Sequence, residues 1–286
     1  MQSIKRILVV LDPTREDSVA LVRSRLLAAF LGAELHLLVC ENRGDHTGML
    51  EDLCANLETA GIVASYSQAW HNNVTDTIIR TLMAQGCGLV IKQHLPDNPL
   101  KKALLTPDDW KLLRYCPAPV LLAKGSAQWL NGKVLAAVDL GDPNDQHQPL
   151  HEALVSHASD IARMINGELH LLSAHPAPML SAANPVYQLR ETILKIYGEK
   201  ARHYINEYDI AENNAHIDEG PADTLIPRVA EQIGACVTVI GTVARTGISG
   251  ALIGNTAEVV LDQLSGDVLV LKPDDMIDHL QDLVEK

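Results

Sequence analysis

Short runs of aliphatic residues alternate along the chain with longer segments of helical periodicity. The runs are rich in Val, Ile and Leu, as in ILVVL at 7–11 and VLAAV at 134–138. Such runs are typical of parallel strands that are buried on both faces. The helical face at 150–165 is formed by Leu150, Leu154, Ala158, Ile161 and Ile165. The alternation predicts an α/β protein in which helices cover a parallel sheet.

The whole pattern occurs twice. KRILVVLDPT, from Lys5, has a counterpart in GKVLAAVDLGDP, from Gly132, so that Asp12 and Asp139 occupy equivalent positions. GAELHLLV and NGELHLLS share ELHLL, and DTIIRTLMAQGCGLVIK is similar to DTLIPRVAEQIGACVTVIG. The final strands of the two copies are APVLLAK and GDVLVLK. Self-similarity over this length indicates two tandem domains, since solenoid repeats are much shorter.

The repeat predicts two doubly wound parallel-sheet domains at residues 1–125 and 132–273, followed by a helical tail at 274–286. The connector GSAQWLN is short enough to keep the domains together. Each final strand would otherwise expose an unpaired sheet edge. We therefore expect 119–124 to pair with 268–272 about a pseudo-twofold axis, as an intramolecular pseudo-dimer. A homodimer of the whole chain stays open.

Composition and charge argue against several classes of function. The net charge is −13, and residues after 130 hold 10 basic and 23 acidic side chains, whereas the earlier residues hold 13 of each. This acidic half should repel nucleic acid, so we expect no direct DNA binding. The N-terminal apolar run is too short for a signal peptide or a membrane span. Five cysteines without a CxxC pattern suit buried thiols in a reducing compartment, and we expect a cytoplasmic protein.

The loop GTVARTGISGALIGNT, at 241–256, follows the fourth strand of the second copy. Ligands of doubly wound sheets bind beyond the carboxyl ends of the strands. This loop, Asp139 and Ser173 should therefore meet at one edge. The loop leads into the helix NTAEVVLDQL, whose free N–H groups could receive an anion.

With these motifs, both copies resemble the universal stress protein family in its tandem-domain type. The resemblance implies a Rossmann-like, adenine nucleotide alpha hydrolase-like fold and a role in survival of starvation or DNA-damaging agents. Nucleotide-binding members carry Gly, two residues, Gly, nine residues, Gly, then Ser or Thr. Here Gly241 and Gly254 match, whereas Ala244 and Asn255 depart from the pattern. The resemblance implies ATP with Mg²⁺ in the second domain, held by Asp139, Ser173, Gly241, Thr242, Ala244, Arg245, Gly254, Asn255 and Thr256.

The corresponding loop of the first copy, KQHLPDNPLKKALLTPDDW, has lost the pattern. Lys92, Leu95 and Leu105 replace the three glycines, and Thr106 is a predicted helix N-cap before Pro107. We expect no nucleotide there, and we expect the lysines of this loop to be exposed, solvated charges.

Other interpretations remain open from the sequence. Asn255 and Glu258 could form a purely structural capping box, and Gly241 could serve only close packing. The protein could then be a ligand-free interaction module, or it could bind an apolar small molecule in the first cleft. The side chains that would line that cleft are Leu95, Leu100, Leu104 and Leu105.

Enzymatic and metal motifs are weak. His147, His151 and His157 lie close together in sequence, but without an HExxH pattern we expect packed or surface histidines and no metal. No GxSxG, Walker A or matched Cys–His motif is present, so the sequence does not indicate an enzyme. The resemblance leaves slow ATP hydrolysis open.

Overall fold

The computed structural model describes residues 1–15, 18–94, 105–125, 128–142, 147–179, 181–182, 184–242 and 255–284, with the backbone alone at 255–258 and 283–284. Two successive halves have the same order of elements. The first half comprises β1 Arg6–Leu11, α1 Val19–Leu31, β2 Glu34–Cys40, α2 Thr47–Thr59, β3 Ala64–Ala69, α3 Val74–Gln85, β4 Leu89–Gln93, α4 Pro107–Tyr115 and β5 Val120–Ala123. The second comprises β6 Lys133–Ala137, α5 Gln148–Met164, β7 Glu168–His175, α6 Arg190–Glu207, β8 Ala215–Glu219, α7 Ala222–Ile233, β9 Ala235–Gly241, α8 Asn255–Gln263 and β10 Asp267–Leu271, with α9 Asp274–Val284 after it.

All ten strands of the described chain form one sheet, in the order β3-β2-β1-β4-β5-β10-β9-β6-β7-β8. Every pairing is parallel except β5 with β10, which is antiparallel with Leu121 opposite Leu269. Each half therefore has the same strand order. The two orders run outward in opposite directions from the β5–β10 pair. This confirms the predicted fold class and the predicted pairing of the two final strands.

Helices cover both faces of the sheet, because alternate strand residues point to opposite sides. Ile7 and Val9 pack with residues of α1, α2, α5 and α6. Leu8 and Val10 pack on the other face, which α3, α4, α7 and α8 cover. The predicted stripe of α5 from Leu150 to Ile165 is buried, which confirms its helical periodicity.

The C-terminal helix α9 also packs against the protein. Met276 and Leu280 of this helix are buried, and the helix confirms the predicted helical tail. No helix in the described part of the chain combines the length and apolar character needed to cross a membrane.

A buried carboxylate joins the two halves. Asp267, at the start of β10, is 1% exposed, and its Oδ2 accepts from Arg23 Nε at 2.7 Å and from Trp129 Nε1 at 2.8 Å. Its Oδ1 accepts from the amides of Lys124 and Gly125 at 2.8 and 2.9 Å. The Arg23 guanidinium also lies 4.7 Å from the centre of the Trp129 ring. A single charge thus fixes α1, the end of β5 and the connector to the last strand.

Two lysines cross the junction in opposite directions. Lys124 Nζ donates to the carbonyl of Leu261, in the last turn of α8, at 2.7 Å. Lys272 Nζ donates to the carbonyl of Cys116, the C-cap of α4, at 2.8 Å. Each cation thus lies at the carboxyl end of the helix that precedes the last strand of the other half, where a positive charge is favourable. Burial lowers the pKa of both amines to about 8.

Removal of the junction carboxylate should destabilise the whole fold. We expect Asp267→Ala to lower the free energy of unfolding by about 3–5 kcal/mol, because it leaves the Arg23 charge buried without its partner. Urea denaturation measures this change. Asp52→Ala, which removes an exposed carboxylate of α2, should change stability by at most about 0.5 kcal/mol. Equal changes in the free energy of unfolding for the two substitutions would contradict the proposed role of Asp267 in joining the two halves.

The buried amine of Lys272 should make stability depend on pH. Between its pKa of about 8 in the fold and the ordinary value of 10.5, only the unfolded chain holds the proton. The free energy of unfolding then rises with pH, by at most about 1.4 kcal/mol per unit. We expect the stability of wild type relative to Lys272→Met to increase from pH 8 to 10 in urea titrations. Parallel pH profiles of the two proteins would be the contrary result.

Candidate functional site

The second half contains a cavity of about 940 Å³ at the carboxyl ends of β6, β7 and β9. The strand order of this half reverses direction between β6 and β9. Cavities of doubly wound sheets form at such a switch point, because the connections leave to opposite faces there. The cavity therefore lies where the sequence predicted a site.

Aliphatic side chains form most of the cavity wall. They come from α5, β7, α7, β9 and α8, and they are Leu150, Leu154, Leu172, Ile226, Ile240 and Val260. A flat apolar ring or an alkyl group can pack against such a wall, because aliphatic side chains have no hydrogen-bonding groups to leave unpaired.

Asp139 provides a carboxylate at the mouth of the cavity. Its Oδ1 accepts the amide of Gly141 at 2.9 Å, which turns the chain after β6. The same turn is held from two sides, because Ser173 Oγ accepts the Leu140 amide at 3.1 Å and Lys200 Nζ donates to the Leu140 carbonyl at 2.7 Å. The carboxylate is exposed and lines the cavity, so it can accept hydroxyl or amino protons from a ligand.

Three histidines and a tyrosine add polar groups to the wall. His147 Nδ1 contacts Asp142, and His175 Nδ1 lies 3.0 Å from the carbonyl oxygen of Pro176. His151 is buried, and burial lowers its pKa, which favours the neutral ring. The Tyr197 ring meets that of His175 edge to face, with centroids 5.7 Å apart.

The structure brings only some of the predicted residues to the cavity. Asp139 and Gly241 line it. Ser173 is fully buried and supports the Asp139 turn, and Thr242 is buried with its amide donating to Leu271 at 2.9 Å. Ala244, Arg245 and Gly254 lie outside the described residues. Asn255 and Thr256 begin α8, and their side chains also lie outside what is described.

Gly241 packs tightly against α5. A Cβ atom at this position would lie 3.0 Å from Leu150 Cδ2 and 3.3 Å from Leu154 Cδ1. This close approach supports the packing interpretation of Gly241, whatever the loop that follows binds.

Sequence reasoning did not identify Tyr197 as a site residue, and it considered His151 only as a metal ligand. Both lie in helices, outside the loop at 241–256 that the sequence indicated as the phosphate site. The one local signal is that each is a polar residue on an otherwise apolar helical face.

The equivalent place in the first half contains a carboxylate of the protein itself. Asp109 is fully buried in the first turn of α4 and accepts from Lys92 Nζ at 2.6 Å. His94 Nδ1 lies 2.8 Å from its other oxygen, and Thr106 completes a capping box with it. Burial alone would raise the pKa of Asp109, but these hydrogen bonds and the Lys92 charge hold it well below its ordinary value.

This arrangement confirms Thr106 as the N-cap and corrects the expectation for Lys92. The ammonium group is not a solvated surface charge, because its side chain is only 14% exposed and ion-paired. An internal anion thus lies at a helix N-terminus beside two basic groups, which is the environment that a bound phosphate would need. The start of α4 therefore already holds a negative charge that the protein itself supplies.

One described cluster has metal-ligand composition. Glu152 of α5 lies near His203 and Glu207 of α6, with ligand atoms within 4.8 Å of one another. The His203 and Glu207 side chains are about half exposed, and such groups are common at surfaces without a metal.

Asp109→Ala should create an anion site in the first half. We expect it to cost about 3–5 kcal/mol of stability, because Lys92 and His94 lose their buried partner. Sulfate should then occupy the vacated position and restore part of the loss. Thermal unfolding in sodium sulfate, against sodium chloride of equal ionic strength, measures this as a larger stabilisation of the variant than of wild type.

The control for Asp109→Ala is Asp108→Ala, which removes the same charge from the same turn outside the capping box. Sulfate stabilises most proteins by exclusion from their surfaces, so only a difference between the variants counts. Equal sulfate responses in all three proteins would refute the internal-anion interpretation.

Comparisons with known proteins agree with this architecture. A sequence model described as the universal stress protein family matches residues 131–272. Universal stress protein E of Escherichia coli K12 is 32% identical over 305 residues, which cover 96% of this chain and 96% of that protein. The universal stress protein E homologue of Haemophilus influenzae Rd is 30% identical and covers 94% of this chain and 97% of its own length.

Solved structures extend the likeness to three dimensions. A crystal structure of a protein from Pseudomonas aeruginosa UCBPP-PA14, described as a universal stress protein, is 54% identical with a TM-score of 0.91 and covers 100% of this chain and 99% of that one. A universal stress protein of Archaeoglobus fulgidus, 19% identical with a TM-score of 0.68, shares the fold over 95% of this chain and 99% of its own. On the strength of relatives that span both halves, the chain belongs to the universal stress protein family.

Proposed function

We propose that the second half binds one adenine nucleotide and that the first half is a scaffold without a ligand. The observation that carries this proposal is the contrast between the two switch points. The second has a cavity of about 940 Å³, whereas the first contains the Asp109 carboxylate at the corresponding helix start. Among the described residues, a cavity with room for a nucleotide is thus found at the switch point of the second copy.

The cavity suits the base and the sugar of a nucleotide. Its aliphatic wall can stack on both faces of a purine, as Leu150 and Ile226 approach it from helices on opposite faces of the sheet. Asp139, at the mouth, can accept hydrogen bonds from the ribose or from an amino group. Apolar cover with a few convergent polar groups is the usual form of such a site.

The phosphates would lie toward the start of α8. That helix begins at Asn255, and its first amides lack intrahelical partners, as at any helix N-terminus. The described lining carries Asp139 and Asp142 and, within those described residues, no Lys or Arg. A triphosphate would therefore need Mg²⁺, the undescribed loop with Arg245, or both to offset these carboxylates. We expect weaker binding of ATP without Mg²⁺.

The cellular role that we propose is resistance to starvation and DNA-damaging agents. The names of the relatives support a role in stress, and starvation and DNA-damaging agents are the stresses that the family resemblance implies. The acidic second half disfavours nucleic acid as a direct partner. The five free thiols, four of them buried, suit a cytoplasmic protein.

A second candidate is an amphipathic small molecule in the same cavity, which the predominance of aliphatic side chains favours. The sequence alone leaves open such a ligand in the first half. Of the residues expected there, Leu105 is buried, and Leu95, Leu100 and Leu104 lie outside the described residues. Mass spectrometry of the purified protein under native conditions separates the candidates by the mass of any retained ligand.

Calorimetric titration with ATP and Mg²⁺ tests the proposed function. We expect one site per chain, and we expect Asp139→Asn to weaken binding about tenfold or more, since it removes a charged acceptor. Asp12→Asn is the matched control, because Asp12 occupies the equivalent position in the first half and should leave affinity unchanged. No heat of binding at millimolar nucleotide, or two equal sites per chain, would refute the proposal.

A further inference from the structure

Tyr197 presents an unused hydroxyl group to the cavity. The residue lies in α6, its side chain lines the cavity, and it is 3% exposed. No hydrogen bond joins its hydroxyl group to a residue that the structure describes, and the oxygen is not one of the fully buried polar atoms without a partner, so it is accessible from the cavity. A ligand in the cavity can therefore use this hydroxyl group as a hydrogen-bond partner.

The loop after β6 is shaped around this hydroxyl. A Cβ atom on Gly141 would lie 1.9 Å from the Tyr197 oxygen and 3.3 Å from Asp139 Oδ1. Only glycine fits at that point. Because the Gly141 amide also donates to Asp139, the tyrosine hydroxyl and the carboxylate flank the same residue of the loop.

His151 is a second buried polar residue of the cavity wall. It is 7% exposed, lines the cavity from α5, and its ring nitrogens have no hydrogen-bond partner within the described chain. Burial lowers its pKa, and the Asp139 charge acts against that shift. The neutral ring that results offers one donor and one acceptor.

The three groups have complementary hydrogen-bonding roles. Burial, and then the Asp139 charge, raise the pKa of Tyr197 to about 12, so at neutral pH its hydroxyl keeps its proton and can donate it. The carboxylate only accepts, and His151 can do either. Neighbouring hydroxyl groups on a ring need this mixture, because each hydroxyl both donates and accepts. A phosphate needs donors alone, and a carboxylate would repel it.

We infer that Tyr197 and His151, together with Asp139, recognise the vicinal hydroxyl groups of a ligand's sugar ring and thereby select ribose over deoxygenated sugars. The inference rests on the proposed function for the location of the ligand, and it adds two helix residues outside the phosphate loop. Tyr197 donates to one hydroxyl oxygen, and Asp139 accepts a hydroxyl proton. The aliphatic remainder of the cavity is left for the base.

Tyr197→Phe tests the inference, because it removes one oxygen atom and keeps the ring that packs on His175. Affinities for ATP, 2′,3′-dideoxyATP and UTP, each with Mg²⁺, are measured by calorimetry. We expect the variant to bind ATP about fivefold to tenfold more weakly than wild type. Its affinity for 2′,3′-dideoxyATP should equal that of wild type, since the lost donor then has no acceptor.

Tyr204→Phe is the matched control. Tyr204 lies on the same helix and is equally buried, but its hydroxyl accepts from Gln148 outside the cavity. The Tyr204→Phe variant should bind each of the three nucleotides with the affinity of wild type.

The outcomes separate the two proposals. Equal ATP affinity of wild type and Tyr197→Phe would overturn the sugar-recognition inference and leave the nucleotide site standing. Binding of UTP but not ATP, with the same loss in Tyr197→Phe, would overturn the adenine assignment and support the sugar contact. A wild-type protein that binds none of the three nucleotides would overturn both.

Discussion

The buried carboxylate of Asp267 is the interaction on which the arrangement of the two halves depends. Moving an ionised group out of water is costly, and it is tolerated only where charge and hydrogen bonds compensate fully. Here the compensating donors come from α1, from the end of β5 and from the connector. The charge is therefore satisfied only when the last strand of the second half lies beside the last strand of the first. The antiparallel pairing of β5 with β10 and the continuous sheet follow from the same geometry.

The two copies have kept one topology and have diverged at the place where their strand order reverses. In the first, a carboxylate of the chain lies at the helix start between Lys92 and His94. In the second, the carboxyl ends of β6, β7 and β9 border a cavity with aliphatic walls and an acidic mouth. The same topology thus accommodates a buried carboxylate with its own basic partners in the first copy and a cavity in the second. The difference lies in a few side chains that the sheet itself does not constrain.

Much of the fold could be predicted from the sequence, because it depends on local periodicity and on the internal repeat. The order of elements, the stripe of α5, the Thr106 cap and the pairing of the final strands were all accessible in this way. The sequence predicts only a short spacer for the connector, because the contact between Trp129 and Asp267 joins residues far apart in sequence. Lys92 was expected to be exposed for the same reason. In the candidate site, Asp139 followed from strand and turn logic, but Tyr197 did not, since its role depends on how α6 crosses over Gly141.

The join between β5 and β10 also removes a concentration dependence that two separate subunits would have. Partners held in one polypeptide meet at an effective concentration set by the connector and not by the amount of protein in the cell. Dilution cannot separate them, and synthesis of one chain always supplies both. A symmetric pair of identical chains must also accept every substitution twice, once in each copy. Fusion lifts that restriction, so that each copy can accept substitutions that the other does not share.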